Sequence, residues 1–318
     1  MLTVLVSHIY TAEQVEDLRT TFPETRFVQL NIEGAVPEEG RDAEAILRCT
    51  MRKGPLLRAL AEAPGLKWIH TCTAGFDWLM VPELAERGLL VTRSGYSLNI
   101  AMSEFVVGYM FLMAKRFPEY LRSQASHRWE SLEATELGGK TVGIVGAGAV
   151  GTEIARRCVA LGMRVIGTKR TPEPQEFFED MLPPSGLERL LRESDFLVLA
   201  APLTPETQGM LGREQFAMMK PTAYLLNVAR GALCVEDELI DALRNRIIAG
   251  ACIDAFETEP LPADSPLWDI DNVVLTPHAS YRSPLTMTRA LEQFKTNLAR
   301  YLKGEPLLHP LKDMALGY

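Results

Sequence analysis

The sequence predicts an α/β protein of two domains, each built around a parallel sheet. Three observations predict it. The chain has 318 residues, about twice the roughly 150 residues of an ordinary domain. Short apolar runs alternate with helical stretches, the mark of βαβ units. The alternation then restarts at Lys140, where a glycine-rich turn follows the first strand of a new series. With 47% apolar and 23% charged residues, the composition suits a globular chain with sizeable cores and excludes global disorder.

The first series opens with the apolar run 2–6, a strand, followed by a polar helix over 11–20. Strands return at 26–30, 45–47 and 67–71, with a helix over 55–63. A strongly apolar helix over 100–114 separates the two series. Its most membrane-like stretch, 105–114, is ten residues long and bounded by Glu104 and Lys115, whereas a spanning helix needs about 20 residues. It is read as buried between layers. The second series places strands at 141–145, 164–168, 196–200, 223–227, 248–253 and 273–275, and a helix over 284–302 closes the chain. Each strand of this series ends in a turn carrying Gly, Pro, Thr or Asn, where open α/β sheets bind their ligands.

Charge and cysteine usage narrow the function classes. The 33 basic and 41 acidic residues leave a net charge of −8 with no Lys/Arg block. That excludes a broad nucleic-acid or anionic-membrane surface, which needs a positive field, but allows a local anion pocket. Cys49, Cys72, Cys158, Cys234 and Cys252 are odd in number and lack CxxC spacing. They are expected as reduced thiols of a cytoplasmic protein, not a disulfide framework or a zinc site, and no metal is expected. The N-terminus has no basic leader, and Ser7 and His8 cut its apolar run, so no secretory signal is expected.

Gly146-Ala147-Gly148-Ala149-Val150-Gly151 fits GxGxxG between a strand and a helix whose apolar positions Val150, Ile154, Cys158 and Leu161 share one face. The first glycine permits the tight turn, the second lets backbone approach a pyrophosphate, and the third lets helix pack on strand. Phosphates would then face backbone amides and the positive end of the helix dipole. About 20 residues further on, NAD-binding sites carry an acid for the ribose hydroxyls. Here Thr168, Lys169, Arg170 and Thr171 stand instead, and no acid appears before Glu173. Paired bases without the acid predict NADP(H) as the preferred cofactor, with NAD(H) possible.

Three downstream blocks complete a chemical set: Asn227-Val228-Ala229-Arg230-Gly231, then Asp254 through Glu259-Pro260-Leu261, then Thr276-Pro277-His278-Ala279-Ser280. Each lies at or just after a strand end of one sheet. A histidine oriented by a carboxylate can exchange a proton with a substrate oxygen, and an arginine fork matches a carboxylate bidentately.

With these blocks, and the closing Gly304-Glu305-Pro306-Leu307, the whole chain resembles the D-isomer-specific 2-hydroxyacid dehydrogenases. The resemblance implies reduction of a 2-oxo acid to the D-2-hydroxy acid. Arg230 would bind the substrate carboxylate and polarise its carbonyl, Glu259 would support the charged form of His278, and His278 would be the acid–base. Asp254 would hold the nicotinamide carboxamide; Ala201, Pro202, Thr207, Val228 and Ala229 would line the cofactor site. Ala74 and Gly75, within Thr71–Asp77, would give backbone amides to the carboxylate. The resemblance also implies a substrate domain, 1–98 plus 285–318, into which a Rossmann-like cofactor domain, 99–284, is inserted, and a homodimer formed through the cofactor domains.

Two departures bear on the pocket: Val235-Glu236 replaces a Val-Asp pair, and Tyr281-Arg282 make the loop after His278 bulky and basic. Trp78 and Trp129 fit either a pocket wall or plain packing, and Arg52 follows a strand closely enough to approach a substrate. His8, His70, His127 and His309 lack chemical neighbours and are expected to be structural or on the surface. Glyoxylate or hydroxypyruvate reduction is one specific form of the activity. A cofactor-sensing binding protein on the same fold is the alternative from another class.

Overall fold

Strands that are apolar on both faces need cover on both faces, and both sheets here are built from such strands. The computed structural model describes residues 1–72, 84 and 86–311. The chain divides into two units, Met1–Leu98 with Ser283–Tyr318, and Asn99–Arg282.

In the first unit, β1 (Leu2–Val6), β2 (Thr25–Gln29), β3 (Ala45–Arg48), β4 (Trp68–Thr71) and β5 (Leu90–Arg93) form a parallel sheet in the order β2-β1-β3-β4-β5, a flavodoxin-like arrangement. Every position of β3 and β4 is buried. Leu5, Ile46, Leu56 and Ile69 fill one face of the sheet; Val4, Leu47, Trp68 and Phe294 fill the other. Helix α1 (Ala12–Thr21) starts with a capping box between Thr11 and Gln14, and α2 (Lys53–Glu62) follows β3. The closing helix, Pro284–Leu302, begins with a Ser283 cap and proline in its first turn, where the missing N–H costs nothing. His70 is fully buried. Its Nδ1 meets the Thr92 hydroxyl at 2.8 Å and its Nε2 the Ser94 hydroxyl at 2.9 Å, while Trp68 donates to Thr92 and Ser94 to the Ala290 carbonyl. It is a core histidine, as its sequence context implied.

The cysteines depart from the expectation that all five are reduced thiols. Cys49 and Cys72 are disulfide-bonded, with Cα atoms 5.3 Å apart, while Cys158, Cys234 and Cys252 are free and buried. The cause is register. Arg48 pairs with Thr71 across β3 and β4, so the next residue on each strand also stands side by side. A separation of 23 residues carries no motif, so the linear sequence did not reveal the pair.

The second unit holds β6 (Thr141–Val145), β7 (Arg164–Thr168), β8 (Asp180–Leu182), β9 (Phe196–Leu199), β10 (Tyr224–Asn227), β11 (Gly250–Ile253) and β12 (Val273–Leu275), in the parallel order β12-β11-β10-β9-β6-β7-β8. Strand order reverses between β6 and β9, the switch point at which such sheets bind ligands beyond their carboxyl ends. Helix α3 (Asn99–Ala114) packs against α5 (Ala149–Ala160), Met110 Sδ lying 4.0 Å from Cys158 Sγ; α4 (Phe117–Ala125) follows α3. Among the described residues no helix is long and apolar enough to cross a membrane. Strands β5 and β8 were absent from the sequence reading. The first opens on an exposed leucine, and the second is three residues long with one buried position, so neither shows an apolar run.

Candidate active site

The fingerprint turn has the geometry its glycines require. Gly146 sits at φ +99°, and a Cβ there would lie 2.6 Å from the Ala201 amide nitrogen, so only glycine lets the β6 and β9 ends close together. Gly151 packs against the turn itself: a Cβ would stand 2.3 Å from the Gly146 carbonyl oxygen. Gly148 is different. It is exposed, a Cβ would meet nothing within 4 Å, and no side chain caps the helix it opens. Open space at the second glycine, in front of uncapped amides of Ala149 and Val150, fits a dinucleotide pyrophosphate.

Glu259 faces His278 across adjacent strand ends. His278 Nδ1 lies 3.0 and 2.9 Å from the two Glu259 carboxylate oxygens, and one of these oxygens also accepts from the Phe256 amide at 3.0 Å. With Nδ1 engaged, Nε2 is the nitrogen left for a substrate. Both side chains are about one-third exposed, at 33% and 37%, enough for a substrate to reach them. His278 has φ +49°, a left-handed backbone that needs support from its surroundings.

That support comes from Asp254. Fully buried at the end of β11, it accepts from Thr276 Oγ1 (2.6 Å), the Ala279 amide (2.8 Å) and the Ser280 amide (2.9 Å). Tyr109 of α3 hydrogen-bonds the same threonine hydroxyl. Burial holds the Tyr109 phenol above its ordinary range. The carboxylate therefore clamps the turn on both sides of His278. The expected contact of Asp254 with the cofactor left this role unseen. An Asp at the end of a strand, three residues before Glu257 and followed later by Thr-Pro-His-Ala-Ser, was the available signal.

Arg230 follows β10. Its Nη1 donates to the Ala229 carbonyl at 2.7 Å, and Asn227 fixes the turn by donating to the Arg230 carbonyl (2.9 Å) and accepting from the Ala229 amide (3.0 Å). A Cβ on Gly231 would fall 2.0 Å from the Phe256 carbonyl carbon, so this glycine lets the Arg230 block lie directly against the block that carries Glu259. Glu236, at the departure from the family pattern, accepts from the Glu257 amide; burial raises its carboxyl above the usual range. It is a second support for the block that carries Glu259, a role beyond the change of pocket shape expected of it.

At the far side of the fingerprint, the Thr168 carbonyl accepts from the amides of Gly146 and Ala147 at 3.2 and 3.0 Å. Thr168 itself is buried, Lys169 half-buried, and Arg170 and Thr171 exposed. Lys169 Nζ lies 3.0 Å from a Glu173 carboxylate oxygen and 3.4 Å from the Gln175 amide oxygen. Buried Ala201 and exposed Pro202 begin the loop after β9, where the Thr207 hydroxyl donates to the Pro202 carbonyl at 2.8 Å. Val228 and Ala229 are buried beside Arg230.

Ala74, Gly75 and Trp78 lie outside the described residues. Arg52 is exposed at the start of α2, and Trp129 is fully exposed. The Tyr281 ring meets His278 edge-on, with centroids 6.2 Å apart.

Comparison with known proteins places this geometry. A profile described as "D-isomer specific 2-hydroxyacid dehydrogenase, NAD binding domain" matches residues 107–280. A glyoxylate reductase of Thermofilum pendens is 35% identical over 278 residues, covering 83% of this chain and 80% of that protein. Among solved structures, a D-isomer specific 2-hydroxyacid dehydrogenase of Xanthobacter autotrophicus Py2, in complex with NADPH and MES, superposes with a TM-score of 0.88 at 31% identity, covering 100% of this chain and 99% of that one. The NADPH-dependent glyoxylate/hydroxypyruvate reductase of Sinorhizobium meliloti, in complex with NADP and sulfate, has a TM-score of 0.86 at 28% identity, with 100% of both chains covered.

Proposed function

Because the chain belongs to the D-isomer specific 2-hydroxyacid dehydrogenase family, we propose that it reduces a 2-oxo acid to the D-2-hydroxy acid, reversibly, with NADPH as preferred cofactor. The observation that carries this reading is the His278–Glu259 pair, 2.9 Å apart at the same sheet edge as the open Gly148 turn. The reduced nicotinamide, when bound, supplies the hydride. His278 gives the proton from Nε2 to the substrate carbonyl oxygen, while Glu259 stabilises the imidazolium through Nδ1. Arg230 pairs with the substrate carboxylate and polarises the carbonyl. In the oxidative direction the neutral imidazole takes the hydroxyl proton.

Lys169 and Arg170 support the NADPH preference, because they set positive charge where NAD sites place a carboxylate. Arg170 also helps hold the Glu206 carboxyl below its usual range, after the larger effect of its hydrogen bond with Thr204. A second copy of the chain is the proposed partner. Phe111, Phe117, Leu121 and Trp129 place exposed apolar surface on and after α3 and α4.

Glyoxylate and hydroxypyruvate are the first substrates to test, since they are the substrates in the relatives' names. In an assay of NADPH oxidation with these acids, pyruvate and phenylpyruvate, at least one should be turned over to the D-hydroxy acid. Absence of oxidation with every 2-oxo acid would favour a cofactor-sensing protein. Sedimentation should give a dimer that Trp129→Glu with Leu121→Glu converts to monomer.

A further inference from the structure

The turn that follows β7 carries, beside its two bases, a counter-ion for one of them. Lys169, the first base of this turn, is held by Glu173 at 3.0 Å and by the Gln175 amide oxygen at 3.4 Å. Gln175 is itself fastened to the fingerprint: its Nε2 donates to Thr152 Oγ1 at 2.5 Å, in the first turn of α5, and to the Ala147 carbonyl at 3.3 Å. One side chain therefore joins the fingerprint turn to the Lys169 ammonium. Glu173 is exposed on the open side of this pair, its side chain 68% accessible, so it can swing away while Gln175 stays.

We propose that Glu173 is a resident counter-ion that Lys169 exchanges for the ribose 2′-phosphate, so that Glu173 limits the selectivity for NADPH over NADH. This rests on the reading that Lys169 and Arg170 receive that phosphate. A phosphate monoester and a carboxylate offer the same ligand to an ammonium, an anionic oxygen, and the phosphate offers more charge. Binding of NADPH must break the Lys169–Glu173 pair and bring two negative groups close together. Binding of NADH breaks nothing. Gln175 keeps the ammonium aimed during the exchange, because its amide oxygen accepts from Lys169 whether or not Glu173 is engaged. Glu173 thus sets how far the two cofactors are discriminated, not whether the site accepts them. Part of the preference that Lys169 and Arg170 create is cancelled from within the same turn.

The test is equilibrium titration calorimetry of the whole protein with NADPH, NADH, adenosine 2′,5′-bisphosphate and 5′-AMP. Two surface variants are used, Glu173→Gln and Lys169→Ala. An exposed ion pair is worth up to about 1 kcal/mol, so Glu173→Gln should tighten NADPH and the bisphosphate about two- to fivefold. NADH and 5′-AMP should be unaffected, and kcat with saturating NADPH should stay at the parent value. Lys169→Ala should weaken NADPH about tenfold or more, the loss of one charge-assisted hydrogen bond. Unchanged NADPH affinity in Glu173→Gln, with NADPH weakened in Lys169→Ala, would overturn the counter-ion role and leave the phosphate site standing. Unchanged NADPH affinity in Lys169→Ala would overturn the phosphate reading itself, and the counter-ion role with it.

Discussion

Two turns of the same sheet edge are built on opposite principles. The turn carrying His278 is held from below by Asp254, a fully buried carboxylate that accepts a hydroxyl and two backbone amides at 2.6–2.9 Å. The turn carrying Lys169 is held by an exposed glutamate and a half-buried glutamine. Buried charge-assisted hydrogen bonds are strong and leave one geometry, whereas exposed pairs contribute little and exchange partners readily. Proton transfer demands fixed positions within fractions of an ångström. Choosing between two cofactors demands only a difference in affinity. The two turns therefore differ in how much a substitution should cost, and in which measured quantity changes.

The largest effect is expected at His278. Replacement by Ala should lower kcat about 10²–10⁴-fold, the usual contribution of a positioned acid–base, with cofactor affinity retained. Steady-state kinetics with a saturating 2-oxo acid measure this, and a kcat within a few-fold of the parent would remove His278 from the mechanism. Next comes Asp254→Asn. It touches no substrate in this account, yet it sets an amide N–H against one of the backbone amides it now accepts from. Such a mismatch costs about 1–3 kcal/mol, a loss of several degrees in Tm for a unit of this size. Displacement of the His278 turn should lower kcat about 10- to 100-fold. A full kcat with a lowered Tm would make Asp254 a purely structural residue. Arg230→Lys keeps the charge and loses the planar fork; KM for the oxo acid should rise about tenfold while NADPH binding stays unchanged.

An effect of a different kind falls on stability, in the first unit. Burial drops the His70 imidazole to about 3, so the unfolded chain binds this proton more readily than the folded one. Stability should be complete above pH 6.5 and decline as pH falls toward 3, by up to about 1.4 kcal/mol per pH unit. Urea unfolding followed between pH 7 and 4.5 should show this slope, and His70→Gln should flatten it. An equal slope in both proteins would contradict the assignment.

Legibility followed the same division between local and distant causes. The fingerprint strand and helix, the two strand series and the Arg230, Glu259 and His278 blocks declare themselves through local apolar patterning and short-range chemistry. Asp254 as a clamp did not, because its partners Thr276, Ala279 and Ser280 lie more than 20 residues away, on the neighbouring strand end. The Cys49–Cys72 bond was invisible for the same reason, being fixed by the register of β3 and β4. The ammonium of Lys169 was legible as a charge. Its engagement by Glu173 and Gln175 required the path of the loop, which no periodicity describes. Gly148 was legible as a residue type, but the open space in front of it emerges only when β6, α5 and the loop after β9 are assembled.

The division between a fixed catalytic turn and an adjustable selectivity turn is tested most directly by one pair of measurements. These are the ratio of kcat/KM with NADPH to that with NADH, and kcat itself, in the parent, in His278→Asn and in Arg170→Ala. With this division the parent ratio should exceed one. It should stay unchanged in His278→Asn although kcat collapses, and fall about tenfold in Arg170→Ala although kcat with NADH is preserved. A parent that favours NADH, or an Arg170→Ala protein with an undiminished ratio, would contradict it.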